Sequence, residues 1–236
     1  MMDGVIFREP DNANTVLLIH SNDDNGSQTF VDSKNGREIL NAGSAAVEHR
    51  SAKWKFGASS IFFDNSSGTS FLTLADNADW DSGTGALTID FWINFDDVAA
   101  DHGILSHYSA DDLCWGLKWK QSTSELFFRN INGAMSDVEI EFSWSPSANT
   151  WYHVAFIRSW GDHSDLWSGC IDGTEIDSGE SATINIPPTN TGVLKIGSCQ
   201  LPSDVTYLRG YMDEFRMVKG AAAWTENFTP PKGMYI

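Results

Sequence analysis

Strict alternation of apolar and polar residues is the feature that most constrains how this chain can fold. Residues 87–95 read LTIDFWINF, so that large apolar side chains occupy every second position. Successive side chains of a β-strand point to opposite faces, and this segment therefore predicts a strand that buries one face in an apolar core. Half-buried strands of this kind are typical of antiparallel sheets.

The same two-residue period recurs along almost the whole chain, and Gly, Asn, Asp and Ser separate the segments. Helical signal is almost absent and is limited to residues 42–50 and 221–224. Short strands at this spacing predict an all-β fold, a two-sheet antiparallel β-sandwich. We predict a polar N-terminal arm over residues 1–14 and a single domain over residues 15–236. The further predicted strands are 15–20, 60–64, 70–74, 103–107, 115–120, 125–130, 137–142, 151–158, 166–171, 193–198 and 208–218.

The overall charge narrows the classes of partner. The chain of 236 residues has a formal net charge of −17. Nucleic acids and anionic membrane surfaces are bound through clustered basic residues, so we predict no nucleic-acid and no membrane partner. No segment approaches the roughly 20 apolar residues of a membrane span. The N-terminus lacks the basic and apolar regions of a secretory signal, so we expect any release from the cell to use another route.

The three cysteines do not form the pattern of a disulfide framework. Cys114, Cys170 and Cys199 are odd in number and widely spaced. Cys170 and Cys199 could pair on neighbouring strands, whereas buried free thiols are the interpretation that we favour. Because the chain has no C-x-x-C sequence, we expect no structural zinc site.

Nine segments of the chain are similar to strand motifs of one known family. Residues 151–155 read WYHVA, similar to the family's WhHVA strand, and residues 210–216 read GYMDEFR, similar to its closing GyiDEvRi strand. The other matches run in the family's order along the chain. They are residues 15–20 (TVLLIH), 55–64 (KFGASSIFFD), 71–74 (FLTL), 87–93 (LTIDFWI), 170–173 (CIDG), 194–197 (LKIG) and 223–231 (AWTENFTPP).

Together these nine segments resemble the laminin-G-like, concanavalin A-like jelly-roll family of lectins and glucanases. This resemblance implies two packed antiparallel sheets, one of which is concave and can present a ligand. The ending AWTENFTPP resembles modules of bacteriophage virion proteins. It implies a non-enzymatic virion module of a tail, fibre or capsid decoration, which binds other virion proteins or host-surface glycans. By the same resemblance we expect a homo-oligomer such as a trimer. The alternative is a bacterial carbohydrate-binding or adhesion domain, located outside the cell.

One carboxylate is predicted on the apolar side of the closing strand. Strand alternation places Asp213 on the same face as Phe215 and Met217. A carboxylate in a core needs a cation or several hydrogen-bond donors. Family members often hold a structural calcium between the opening loop and this strand, and calcium prefers oxygen ligands. The resemblance therefore implies a Ca²⁺ site of Asp23, Asp32 and Asp213, with backbone or Arg hydrogen bonds to Asp213 as the alternative.

Two tryptophan-rich segments are candidate glycan-binding surfaces. In the first, residues 115–120 (WGLKWK), strand alternation places both indole rings on one face, as a sugar platform or as core. The second, residues 160–167 (WGDHSDLW), predicts a loop that forms part of a glycan site or a plain surface loop. The candidate ligand-binding residues are Trp115, Trp119, Trp160, His163 and Trp167.

A catalytic alternative depends on Asp137, Glu139 and Glu141, which share a strand face in steps of about 7 Å. Retaining glycosidases need two carboxyls about 5–5.5 Å apart. The order Asp-x-Glu-x-Glu also departs from the Glu-x-Asp-x-x-Glu of related laminarinases, and a solvated strand face is the simpler interpretation. His153 has no nucleophile context such as G-x-S-x-G. We therefore predict no enzyme activity, with a glycoside hydrolase or polysaccharide lyase as the minor alternative.

Overall fold

The computed structural model describes residues 8–9, 13–81, 83, 85–133, 136–161, 163, 166–181 and 190–236. Within these residues the regular structure is almost entirely β, which confirms the predicted all-β class. None of the described helices has the length and apolar character needed to cross a membrane. The strands are β1 Arg8–Glu9, β2 Thr15–Ile19, β3 Phe30–Val31, β4 Glu38–Gly43, β5 Val47–Arg50, β6 Ser60–Phe63, β7 Ser70–Leu74, β8 Leu87–Phe95, β9 His102–Ala110, β10 Leu113–Lys120, β11 Glu125–Asn132, β12 Ser136–Ser143, β13 Trp151–Arg158, β14 Leu166–Ile171, β15 Thr174–Ser181, β16 Val193–Ile196, β17 Ser198–Leu201, β18 Asp204–Tyr207, β19 Gly210–Lys219 and β20 Met234–Tyr235, and a 3₁₀ helix covers Ala78–Trp80.

Two large antiparallel sheets form the sandwich. The first has the strand order β12-β11-β10-β9-β16-β7-β4-β3. The second has the order β15-β14-β13-β8-β19-β6-β5, and β2 also pairs with β19. In the segment with weak helical signal, residues 42–43 belong to strand β4 and residues 47–50 to strand β5 instead. Val47 and His49 alternate as buried residues there, and β5 pairs with β6.

The core lies between the sheets and follows the predicted alternation. Ile89, Phe91, Ile93 and Phe95 of β8 are all fully buried in it. Full burial of such a side chain contributes about 1.5–3 kcal/mol. The opposite face of β8 differs from the prediction, because it is buried as well. Segments distant in the sequence cover it.

The C-terminal segment covers the outer face of the second sheet. The rings of Trp224 and Phe228 stack on each other at 3.9 Å, and both contact the ring of His153 edge-on. Further along, residues 53–56 cross the same face, where Lys55 Nζ lies 3.7 Å from the ring centroid of Trp92. These contacts explain why β8 is buried on both faces.

The hairpin β17–β18 covers part of the outer face of the first sheet. Its backbone approaches β9 so closely that a Cβ atom at Gly103 would lie 2.2 Å from the Thr206 carbonyl oxygen. Lys118 of β10 fastens the hairpin, since its Nζ donates to Asp204 Oδ2 at 2.7 Å and to Asp101 Oδ2 at 2.9 Å. Glycine at position 103 therefore permits the contact between hairpin and sheet.

A β-bulge in β19 overturns the predicted placement of Asp213. The register of β19 against β8 shifts between Asp213 and Arg216, and Glu214 has the left-handed φ of 51°. This extra residue breaks the alternation. Phe215 and Met217 lie in the core, whereas Asp213 pairs with Trp92 on the outer face. The prediction that Asp213 shares a face with Phe215 and Met217 was therefore wrong.

The two ends of the described chain meet. Arg8–Glu9, within the predicted polar arm of residues 1–14, forms a short parallel pair with Met234–Tyr235. Residues 1–7 and 10–12 of that arm lie outside the described residues. The strand pair joins this part of the arm to the domain.

All three cysteines are free and buried. Cys114 of β10 and Cys199 of β17 lie in one apolar cluster between the first sheet and the hairpin β17–β18. Cys170 lies in another cluster, beneath the C-terminal segment. Free thiols, the favoured interpretation of the sequence, are confirmed, and Cys170 does not pair with Cys199.

Candidate functional site

Asp213 is buried, as expected, and three backbone N–H groups donate to its carboxylate. Its Oδ2 accepts from the N–H groups of Lys55 and Phe56 at 3.0 and 3.1 Å, and its Oδ1 accepts from Glu214 N–H at 3.0 Å. Burial and the neighbouring Glu214 carboxylate nevertheless raise the pKa of Asp213 well above its ordinary value. The alternative of backbone hydrogen bonds therefore describes what surrounds this side chain.

The other two predicted calcium ligands have separate partners. Asp32 is fully buried, accepts from Leu18 N–H at 3.2 Å and pairs with Arg37 at 3.2 Å. Asp23 is exposed and accepts from Ser27 Oγ at 2.5 Å. Over the described ranges, no group of three or more His, Cys, Asp or Glu side chains is arranged to hold a metal ion. Calcium binding at Asp23, Asp32 and Asp213 stays a prediction.

A chelator experiment tests that prediction. If calcium holds these loops, EDTA lowers the melting temperature, because a ligand that binds only the folded state stabilises it. The same shift is expected to be absent in Asp32→Asn. Melting curves with EDTA and with added calcium, followed by circular dichroism, measure both. Identical curves for the wild type under the two conditions would rule out the structural calcium.

The sugar platform predicted on β10 is instead part of the core. Trp115 and Trp119 are each only 3% exposed. Trp119 contacts Phe95 of the facing sheet at 5.8 Å, and its Nε1 donates to the Trp144 carbonyl oxygen at 3.0 Å. Both rings share one strand face, as predicted, but that face points at the other sheet. Core packing, the alternative left open by the sequence, is what the structure has.

Both tryptophans of the second tryptophan-rich segment are also buried. Trp167 is 0% exposed and stacks on Phe156 at 4.5 Å between the sheets. Trp160 is 6% exposed and lies in the cluster under the C-terminal segment, whereas His163 is exposed. Positions 162, 164 and 165 lie outside the described residues. The structure therefore does not bring the five candidate residues together on one surface.

The three carboxylates of β12 are occupied by ion pairs on an exposed face. Arg129 donates to both oxygens of Asp137 at 2.9 and 2.8 Å and lies 3.3 Å from Glu139. Glu141 pairs with Lys120 at 2.7 Å. The carboxylate side chains are 40–51% exposed. The arrangement is that of a solvated strand face, the simpler of the two interpretations.

His153 belongs to a buried network on the outer face of the second sheet. Asp90 Oδ1 accepts from Arg216 Nε at 2.8 Å, and its Oδ2 accepts from the hydroxyl of Tyr235 at 2.6 Å. His153 Nε2 lies 3.4 Å from the same Oδ2. Arg216 also lies over the Tyr235 ring at 3.8 Å. All four side chains are at most 4% exposed, so the network is closed to solutes.

An open cleft lies at one end of the sandwich, where loops connect the two sheets. We call it the loop-end cleft. Its volume is about 500 Å³. Three segments form it: the β8–β9 loop, the β6–β7 loop and the hairpin β17–β18 with the residues that follow it. The lining residues are Asn65, Gly68, Asp97, Ala99, Ala100, Asp101, His102, Val205, Thr206, Tyr207 and Arg209.

The polar groups of the loop-end cleft are held in place and still have bonding capacity. Arg209 Nη1 donates to Asp97 Oδ2 at 2.9 Å, and both side chains are well exposed, at 46% and 35%. Asp101 accepts from Lys118 and from Gln121 N–H. Burial raises the pKa of Asp101, but these hydrogen bonds outweigh it and the pKa lies below its ordinary value. Carboxylate oxygens and a guanidinium can each form further hydrogen bonds.

An apolar wall completes the loop-end cleft. Val205 is 48% exposed, and the half-buried ring of Tyr207 packs against Phe71 at 5.9 Å. His102 is buried, its Nδ1 accepts from Arg209 N–H at 3.2 Å, and burial lowers its pKa, so its ring is neutral. Aromatic surface beside fixed donors and acceptors is the usual composition of a small-ligand site.

The residues of the loop-end cleft were not among those predicted from the sequence. Asp97 and Asp101 follow the strongest predicted strand, and Tyr207 and Arg209 precede the closing strand. The sequence feature that could have indicated the cleft is the group of acidic residues directly after the strand of residues 87–95. No periodicity marks loop residues, and their meeting depends on how the two sheets pack.

Comparisons with known proteins agree with the fold. A family model described as the concanavalin A-like lectin/glucanases superfamily matches residues 65–226. No curated protein sequence matches the chain significantly. One similar solved structure is domain 4 of AbnA, a GH43 extracellular arabinanase from Geobacillus stearothermophilus, in complex with arabinotriose. It has a TM-score of 0.67 and 14% identity, and the match covers 90% of this chain and 96% of that one.

Two botulinum neurotoxin structures are also similar to this chain in fold. Botulinum neurotoxin type C, whose uptake by cells depends on interaction with two ganglioside molecules, has a TM-score of 0.62 and 15% identity over 88% of this chain. The binding domain of botulinum neurotoxin DC in complex with rat synaptotagmin II has a TM-score of 0.64 and 15% identity over 89%. The chain spans 48% and 50% of these two toxin chains. At such identities the likeness concerns the fold alone.

Proposed function

Because this chain belongs to the concanavalin A-like lectin/glucanases superfamily, we propose that it is a non-enzymatic module that binds neutral glycans in the loop-end cleft. The observation that carries the proposal is the cleft itself. Arg209, Asp97 and Asp101 offer donors and acceptors beside the aromatic ring of Tyr207. A sugar presents hydroxyl groups around its rim and apolar C–H groups on its faces, which matches this combination.

The structural relatives support a carbohydrate ligand. Domain 4 of the arabinanase matches this chain over nearly the full length of both, and its structure contains arabinotriose. The botulinum neurotoxin type C relative interacts with gangliosides. A relative in complex with synaptotagmin II also makes protein partners reasonable for this fold.

The charge of the loop-end cleft favours neutral over anionic sugars. Asp97 and Asp101 outnumber Arg209, and that guanidinium is already paired with Asp97. The nearby Lys118 is paired with Asp101 and Asp204. The whole chain adds a net charge of −17, which repels anions at long range. Sialylated and sulfated glycans are therefore expected to bind worse than their neutral counterparts.

We predict that Tyr207→Ala lowers glycan affinity at least tenfold, or by roughly 1.4–2 kcal/mol, because a central aromatic contact carries much of the energy of an interface. A glycan array with arabino-, gluco- and galacto-oligosaccharides, together with sialylated counterparts, first identifies the ligand. Isothermal titration then compares wild type and variant on the best array ligand, with arabinotriose as a fixed reference.

Tyr108→Ala is the matched control, since this half-buried tyrosine lies six positions along β9 from the cleft residue His102, and its hydroxyl donates to Asp111 at 2.6 Å. It is expected to leave the affinity unchanged. A wild type that binds no glycan on the array would refute the proposed function, and a wild type that prefers sialylated glycans would refute the preference for neutral ones.

The setting of this module is proposed to be a bacteriophage virion. The support is the C-terminal sequence AWTENFTPP, which folds over His153 as a cover of the second sheet. Mass spectrometry of purified virions from the source phage tests the setting. Absence of the chain from such particles would favour the alternative, a bacterial extracellular carbohydrate-binding domain.

A further inference from the structure

Trp54 is unusual among the tryptophans of this chain. All ten lie in the described residues, and Trp54 alone is exposed, at 47%. The other nine are buried or half-buried. An exposed indole ring offers a large flat apolar surface together with a free N–H donor.

The segment that carries Trp54 is anchored on its N-terminal side. Lys53 Nζ donates to Asp96 Oδ1 at 2.8 Å and to Asn149 Oδ1 at 2.7 Å. The same ammonium lies 4.7 Å from the ring centroid of Tyr211. Lys53 thereby joins the Trp54 segment to two loops of the sandwich.

The segment is also anchored on its C-terminal side. The N–H groups of Lys55 and Phe56 both donate to the buried Oδ2 of Asp213. The ammonium of Lys55 and the ring of Phe56 both pack on Trp92. Trp54 therefore projects from a backbone that is fixed at both neighbours, so that a contact to its ring costs little ordering of the chain.

The anchor of Trp54 adjoins the wall of the loop-end cleft. Asp96, the partner of Lys53, directly precedes the cleft residue Asp97. Asp96 N–H donates to the carbonyl oxygen of Arg209, a second cleft residue, at 3.2 Å. The exposed indole and the cleft are thus joined through one short stretch of the β8–β9 loop.

We propose that Trp54 is a second contact for the glycan that occupies the loop-end cleft. This inference rests on the proposed function. The indole stacks on the apolar face of a sugar ring further along the same glycan chain, beyond the residues held by Tyr207 and Arg209. The ligand class is therefore a neutral oligosaccharide or polysaccharide longer than the cleft. Two linked contacts raise the affinity for long chains and leave the affinity for short ones unchanged.

The test compares short and long members of one series. Wild type, Trp54→Ala, Trp54→Phe and Tyr207→Ala are titrated with tri- and longer oligosaccharides of the arabinan, glucan and galactan series. Trp54→Ala is expected to lower the affinity for long chains about tenfold while trisaccharide affinity stays the same. Trp54→Phe keeps most of the effect. Tyr207→Ala lowers the affinity for all lengths.

Fluorescence gives an independent readout. Since Trp54 is the exposed tryptophan, long glycans are expected to change the emission of the wild type, and this change disappears in Trp54→Phe. Equal affinities of wild type and Trp54→Ala for every length of a bound series would overturn the role of Trp54 and leave the cleft proposal standing. An equal loss of affinity for short and long chains in Trp54→Ala would also overturn the role of Trp54 and leave the cleft proposal standing. Binding of no series by the wild type would overturn both.

Discussion

Replacing Arg216 with methionine is expected to lower the free energy of unfolding by about 3–5 kcal/mol, because it leaves the carboxylate of Asp90 buried without its cation. The side chains of Asp90 and Arg216 are 0% and 3% exposed, and they meet at 2.8 Å. Tyr235 and His153 remain near Asp90, but neither is a permanent cation. Urea denaturation of wild type and Arg216→Met measures the loss.

The control is Arg129→Met, which removes an arginine from a pair that is exposed. Arg129 is bonded to Asp137 through two nitrogens, but the two side chains are 26% and 51% exposed. Exposed pairs contribute about 0–1 kcal/mol. Equal losses in the two variants would show that the buried network of Asp90 does not stabilise the fold as described.

The pH dependence of Arg216→Met gives a second readout. Burial raises the pKa of Asp90, but Arg216 and His153 outweigh it, so the folded-state pKa is lowered. In the wild type this contribution is present above the unfolded-state pKa of about 4 and is lost as the pH falls. Without Arg216, we expect burial to dominate and to raise the folded-state pKa of Asp90. The variant then loses stability as the pH rises, so its deficit is expected to be smaller near pH 4 than at pH 7.

Trp167→Ala is expected to lower the free energy of unfolding by about 3–5 kcal/mol, because it creates a large cavity in the core. Trp167 is fully buried, stacks on Phe156 at 4.5 Å and contacts Phe128 at 5.3 Å. Thermal and urea unfolding measure the loss. At temperatures where the variant is folded, glycan affinity is expected to stay within twofold of wild type, as it depends on the distant loop-end cleft.

Trp54→Ala provides a control of the same residue type. Its ring is 47% exposed, and substitutions at such positions usually change stability by about 0.5 kcal/mol or less. Trp167→Ala is therefore expected to lower stability and to leave glycan affinity unchanged, whereas Trp54→Ala is expected to leave stability unchanged and to lower the affinity for long glycans. A stable Trp167→Ala that fails to bind glycan would restore the binding role predicted from the sequence and contradict the structural one.

The strands were accessible from the sequence because their signal is local. Leu87–Phe95, Ser70–Leu74, Trp151–Arg158 and Leu166–Ile171 have the predicted bounds. The bulge at Glu214 was not accessible. The sequence from Tyr211 to Arg216 is compatible with an unbroken strand. The left-handed φ of Glu214 depends on its bonding partners in other segments. These are His20 and Tyr235 N–H, which bond to the Glu214 carboxylate at 2.7 and 3.0 Å.

The candidate site was harder to predict from the sequence than the fold. The sequence shows that Trp115 and Trp119 share a face, but not whether that face meets water or another sheet. The loop-end cleft joins Asp97 to Arg209, which are 112 positions apart. No local pattern relates residues at that separation.

By itself, the sequence determined that this chain is built of alternating strands and forms a two-sheet sandwich, because side-chain direction in a strand follows from the backbone alone. Only the tertiary structure decided which faces meet water. The C-terminal segment covers His153, the hairpin β17–β18 covers Gly103, and Trp54 stays exposed. Burial depends on contacts between distant segments, and those contacts leave the predicted tryptophan strand in the core.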